Sequence, residues 1–163
     1  MKDLDGQFAP VSLSEIEYGG SDDGFVINGA DSGDRFGKSV SGAGDVNNDG
    51  YDDLIVGASG ADPEGNDSAG ASYVVFGKSD GSAVNLSEIE YGGSDDGFVI
   101  NGASEHDQSG GSVSAAGDVN FDGYDDLIVG ASRADTNGNY SGASYVVFGK
   151  SDGSAVNLFD IEY

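Results

Sequence analysis

The sequence predicts an all-β protein built of β-propeller blades, and three observations carry that reading. Leu13 to Ala30 recurs without change as Leu86 to Ala103, an offset of 73, so the 163-residue chain is two copies of one unit. Short β-branched and aromatic runs alternate with turns rich in Gly, Ser, Asn and Asp; the 29 glycines against two prolines fit a turn-rich sheet protein. Within each unit a strand of very small residues precedes strands of bulky ones, as expected where innermost strands crowd about an axis. A β-solenoid or a sandwich with glycine-rich strands is the alternative that this period allows.

The boundaries follow from the repetition. Residues 1–12 form a lead, 13–85 a first repeat, 86–157 a second, and 158–163 the start of a truncated third. Phe25 to Asn28 reads as a short strand opened by a Ser-Asp-Asp-Gly turn. Lys38 to Gly44 is the strand of small residues, Asp53 to Ala58 a compact apolar strand, and Ser72 to Phe76 a β-branched and aromatic one. Asn85-Leu-Ser-Glu88 has the spacing of a capping box and predicts a single helical turn. One unit cannot bury its own apolar face and needs neighbours to do so.

Composition excludes several functions. Thirty acidic residues against six basic ones give a net charge of −24, which repels nucleic acid and anionic membrane and favours cations. Without cysteine there is neither a disulfide framework nor thiolate chemistry. Met1 to Asp5 lacks the apolar stretch of a signal peptide, and no segment reaches transmembrane length. The expectation is a chain with no membrane insertion that is cytoplasmic, or else excised or engineered from something exported.

The chemistry concentrates in a duplicated loop, Asp45-Val-Asn47-Asn-Asp49-Gly-Tyr51-Asp-Asp53 and Asp118-Val-Asn120-Phe-Asp122-Gly-Tyr124-Asp-Asp126. Oxygen-bearing side chains stand at positions 1, 3, 5 and 9, and the carbonyl of position 7 completes a set of five protein donors. This suits Ca²⁺, which takes six to eight oxygens in irregular geometry. We therefore expect one Ca²⁺ per repeat, two per chain, held by Asp45, Asn47, Asp49, Asp53 and the Tyr51 carbonyl, and by Asp118, Asn120, Asp122, Asp126 and the Tyr124 carbonyl. An EF-hand is excluded because its position 12 requires glutamate, where this chain has Val56 and Val129. The bland alternative is that the carboxylates close Asx turns. Asp52 and Asp125, at position 8, are expected to point outward.

On these motifs the chain resembles the FG-GAP repeat family, whose units form the integrin α-subunit propeller and occur in many bacterial surface proteins. The resemblance runs from Phe36-Gly37 through Ser39 to Asn47 and the loop to Gly57-Ala58-Ser59, and again from Gly110 to Ser132. Two departures stand out: Phe-Gly becomes Ser109-Gly110 in the second copy, and the usual Gly-Ala-Pro becomes Gly-Ala-Ser in both. Loss of the Phe36 counterpart is expected to weaken packing beside the second blade. The resemblance implies that the loop joins the first two strands of a blade, that calcium pins it there, and that the parent protein is extracellular or cell-surface.

Strand order adds a further expectation. Two four-stranded antiparallel blades per chain are too few to close a propeller, and the second lacks its fourth strand, so a homo-oligomeric ring is expected in which the amino-terminal strand of each copy completes the last blade of its neighbour: a trimer with six blades or a tetramer with eight. The function that follows is a non-enzymatic calcium-binding module, an adhesion or ligand-binding scaffold for an extracellular protein or glycan. The alternative is a purely structural or engineered self-assembling fragment with no ligand but calcium and itself. An enzyme is disfavoured because the single histidine, His106, lies in an unduplicated turn, and the pairs Asp22-Asp23 and Asp95-Asp96 read as solvated hairpin tips.

Overall fold

In the computed structural model of the chain the described residues are 13–17, 24–92 and 94–162. The lead over 1–12 and the Asp22-Asp23 pair lie outside them. The chain is all-β, with three one-turn helices, α1 (Leu13–Glu17), α2 (Leu86–Glu90) and α3 (Phe159–Glu162).

Two sheets dominate. The first contains β2 (Ser39–Gly44), β3 (Asp53–Ala58), β4 (Ala71–Val75) and β6 (Gly97–Asn101), all antiparallel, with the two-residue β10 (Val156–Asn157) added in parallel to β6. The second contains β7 (Ser109–Gly117), β8 (Asp126–Ala131) and β9 (Ala143–Val147). A separate parallel pair joins β1 (Ile27–Asn28) to β5 (Val84–Asn85). The arrangement is consistent with two consecutive propeller blades.

The strand count follows the expectation that the second blade lacks its fourth strand. One sheet has four antiparallel strands and the other three, because β6, which begins the second sequence repeat, pairs with β4 of the first. The strand expected over Phe25 to Asn28 shrinks to Ile27–Asn28. Its counterpart β6 gains length from the ladder with β4, and β1 has only the short β5 beside it. The capping box does not form as drawn. Asn85 precedes α2 but makes no cap bond with its side chain, whose Oδ1 accepts from Asn28 Nδ2 at 3.1 Å.

The strands follow their chemistry. Asp53–Ala58 and Ala71–Val75 carry the β-branched and aromatic residues that suit a pleated, two-sided surface, and Ile55, Val74 and Val75 are fully buried. The small residues of β2 and β7 let these two strands run side by side between the sheets. At Gly57 a Cβ would collide with the Gly110 carbonyl of β7, so the close approach of the two sheets excludes any side chain there.

Between the sheets lies one core cluster, in which Val46, Ile55, Val74, Phe98 and Ile100 of the first meet Leu127, Val129 and Val147 of the second. Each such fully buried side chain stabilises the fold by about 1.5–3 kcal/mol. A second cluster, on the far face of the first sheet, gathers Tyr73, Val75, Val84, Leu86, Ile89 and Val99, with Phe25, Ile27 and Phe36 packed at its margin. Ser109 stands where the first copy has Phe36. It is fully buried, and its backbone N–H donates to the Ala69 carbonyl at 2.9 Å. Its hydroxyl is buried with no hydrogen-bond partner among the described residues.

Candidate metal-binding loops

Each loop is the hairpin of its sheet's first two strands, β2–β3 and β7–β8. The tight reversal comes from position 6, where Gly50 (φ 92°) and Gly123 (φ 93°) adopt backbone that L side chains avoid. Position 4 is left-handed as well, at Asn48 (φ 58°) and Phe121 (φ 61°). Sequence reading missed that second reversal; the asparagine in the first copy was its only local signal.

The predicted side chains turn inward onto the loop. Asp45 accepts the Asp49 N–H at 2.9 Å and the Gly50 N–H at 3.0 Å, one on each carboxylate oxygen. Asn47 Oδ1 accepts the Asp49 N–H at 3.0 Å, and Asp49 Oδ1 the Tyr51 N–H at 2.9 Å. Asp53 reaches further, taking the Val46 N–H and the Gly77 N–H, each at 2.8 Å, and so ties the loop to the segment after β4. The second loop repeats every one of these bonds, with Asp118, Asn120, Asp122 and Asp126 in the same roles.

These bonds include the Asx turns of the bland alternative, and among the described residues no three acidic or imidazole side chains converge as a finished metal cage. The donor set nevertheless fits a hard cation. An ionised carboxylate offers about four lone-pair sites, and Asp45 and Asp53 each spend two on these N–H groups. No lysine or arginine lies within either loop. Burial, abetted by the charges of Asp49 and Asp45, pushes the Asp53 carboxyl up to about 6 against the opposing pull of the Gly77 and Val46 N–H groups. A divalent cation would relieve that excess of negative charge.

Asp125 corrects the expectation that position 8 points outward. Its carboxylate accepts the Asp45 N–H across the sheets at 3.0 Å, and its own N–H donates to the Asp45 carbonyl at 3.2 Å. The Lys150 N–H donates to the Val46 carbonyl at 2.9 Å. The first loop is therefore clamped by the second sheet. Sequence alone did not show this, since Asp52 and Asp125 are the same residue in identical surroundings along the chain. His106 is an exposed turn residue (φ 68°), and Asp96 closes a turn with Ser94 Oγ at 2.7 Å.

Comparison with known proteins places these features. Residues 36–75 and 109–147 match the FG-GAP repeat. The chain is 37% identical over 122 residues to phosphatidylinositol-glycan-specific phospholipase D of Bos taurus, covering 73% of the chain and 14% of that protein. It is 35% identical over 110 residues to integrin alpha pat-2 of Caenorhabditis elegans, covering 67% of the chain and 9% of the relative. Integrin alpha-4 of Xenopus laevis is 30% identical over 102 residues, 63% of the chain and 9% of that protein. The chain thus spans a small fraction of the curated relatives it matches.

Proposed function

The chain belongs to the FG-GAP repeat family, and from that premise we propose that it is a calcium-stabilised propeller module, non-enzymatic, serving an extracellular or surface protein as an adhesion or ligand-binding scaffold. One observation carries the metal assignment: two loops with the same donors in the same bonded arrangement, each rich in carboxylate and free of internal cations. Asp45, Asn47, Asp49, Asp53 and the Tyr51 carbonyl would hold one Ca²⁺. Asp118, Asn120, Asp122, Asp126 and the Tyr124 carbonyl would hold the other.

Calcium here supplies charge neutralisation and cross-linking rather than catalysis. Asp53 already joins the loop to the segment after β4, so an ion shared by Asp53 and the loop's other donors would lock hairpin to sheet. The integrin alpha relatives support the adhesion reading, with an extracellular protein or glycan as the ligand class. No phospholipase chemistry is assigned, because the resemblance to that enzyme covers 14% of its length and acid–base or nucleophilic catalysis needs a tuned constellation.

The test is calorimetric. Titration with Ca²⁺ gives two ions per chain, and because the ion binds the native state alone, chelation lowers the melting temperature. A melt unchanged by excess chelator refutes the reading.

A further inference from the structure

The geometry points to head-to-tail docking of a second copy of this chain, in which β1 of one copy becomes the fourth strand of the other copy's three-stranded sheet. This deepens the propeller reading above and rests on it.

β1 already stands as the outer strand of a blade. It pairs in parallel with β5, Ile27 against Val84, as β6 pairs with β10, Ile100 against Val156. Asn28 Nδ2 donates to Asn85 Oδ1 at 3.1 Å, as Asn101 Nδ2 donates to Asn157 Oδ1 at 2.9 Å. Lys78 Nζ lies 5.2 Å from the Phe25 ring centroid, as Lys150 Nζ lies 4.6 Å from that of Phe98. These three contacts, which fix β6 on its following blade, are thus reproduced for β1. What differs is the other edge: β6 is also paired with β4, and among the described residues β1 has only β5. The complementary gap is at β9, the counterpart of β4, which is the edge of its sheet.

The side chains at the two ends are complementary for the same reason. Inside the chain, Ile55, Val74 and Val46 are fully buried against the second sheet; their counterparts Ile128, Val146 and Val119 are 37%, 41% and 49% exposed. At the opposite end Val40 is 66% exposed, whereas its counterpart Val113, within the chain's own interface, is 8% exposed. Between β1, α1 and the first sheet runs an open apolar groove of about 490 Å³, lined by Leu13 and Ile16 of α1 and by Phe25, Ile27, Phe36 and Val40. It occupies the place where, one repeat later, β6 and the second sheet enclose Ile55 and Val74. The groove is therefore matched to Ile128 and Val146 of another copy. A polar bond would recur too: Asp52, exposed on the first loop, is the counterpart of Asp125, which accepts the Asp45 N–H, and is placed by the same docking to accept the Asp118 N–H of the partner copy.

Carrying the β4–β6 ladder over to β9 and β1 fixes the register between copies: Ala143 opposite Asn28, Ser144 opposite Ile27, Tyr145 opposite Val26, Val146 opposite Phe25 and Val147 opposite Gly24. The contact is heterologous, and repetition closes a ring. Three copies supply six blades and four supply eight, both within the roughly four to eight that propellers use.

Native mass spectrometry in calcium-containing buffer should show three or four times the 16.4 kDa protomer. Val146→Lys should reduce the mass to one protomer with circular dichroism unchanged. Because the chain has no cysteine, Asn28→Cys combined with Ala143→Cys should link copies covalently on oxidation. Moving the first cysteine to Ile27, which points to the other face, should abolish the link. A wild-type chain at 16.4 kDa overturns the docking; so does an assembly that survives Val146→Lys and forms no cross-link. A monomer that still takes up two calcium ions refutes docking alone, and a ring that takes up none refutes the calcium reading alone.

Discussion

Replacing Asp53 by asparagine separates the two contributions of that residue, because they act in opposite directions. The side chain is 1% exposed and accepts the Val46 and Gly77 N–H groups. Asparagine has one acceptor oxygen, so one buried donor loses its partner, at about 1–3 kcal/mol. Against this, the native carboxyl is pushed from 3.8 up to about 6. A carboxyl raised on folding binds protons more tightly in the native state, so its contribution is favourable below the ordinary carboxylate range and is lost as pH rises through 6. At pH 7 the charged form therefore costs roughly 3 kcal/mol, which a neutral amide avoids. In chelator Asp53→Asn should be as stable as the parent or up to about 2 kcal/mol more stable. In calcium the order should reverse, since a site saturated 100-fold over its dissociation constant adds about 2.7 kcal/mol and the variant keeps only the second site. Urea unfolding with and without calcium, and calcium stoichiometry, measure both halves. A variant that is less stable than the parent in chelator refutes the charge-burial argument, and one that still binds two ions removes Asp53 from the ligand set.

Further outcomes follow from other contacts. Asp125→Ala strips the Asp45 N–H of its acceptor between the sheets and should cost about 1–3 kcal/mol in urea unfolding; a neutral result would mean the clamp is not formed in solution. Phe121, 92% exposed and left-handed at φ 61°, should gain about 0.5–1 kcal/mol on replacement by asparagine, which tolerates that backbone, and an unchanged or lower midpoint would count against it. Burial raises the carboxyl of Asp53 to about 6 and raises those of Asp34 and Glu90 as well, so native-state proton uptake exceeds that of the unfolded chain. In calcium-free buffer the melting temperature should therefore climb as pH falls from 7 toward 5. The lowered carboxyls of Asp80 and Asp152 lose their contribution only below that window, and a melting temperature that drops across it would overturn the assignment.

Much of this was legible in the sequence, for identifiable reasons. Asp53–Ala58 was located to the residue because a β-branched run between a loop carboxylate and a Gly-Ala pair has little freedom to be anything else. The donor pattern of the loops was legible because a hard cation dictates the spacing of its oxygens. What escaped were relations between the copies. Asp52 and Asp125 have the same neighbours along the chain, and only the adjacent sheet gives the second a backbone N–H to accept. Ser109 read as a lost aromatic, and its burial against the first sheet depends on contacts between the repeats. Of Phe25 to Asn28 only the shortening escaped: its twin over Phe98 to Asn101 gains length on the edge of β4, and among the described residues β1 has only β5 beside it.

The pairing of β6 with β4 has a consequence for how such chains grow. The segment that was duplicated and the segment that folds as one sheet are out of phase, by the length of one outer strand. A gene that copies the unit therefore never adds a self-sufficient piece; each new copy arrives already stitched to its predecessor, leaving a spare strand in front and a vacancy behind. Expansion and loss of repeats can then proceed in whole units without designing a new junction, because every junction is the same seam.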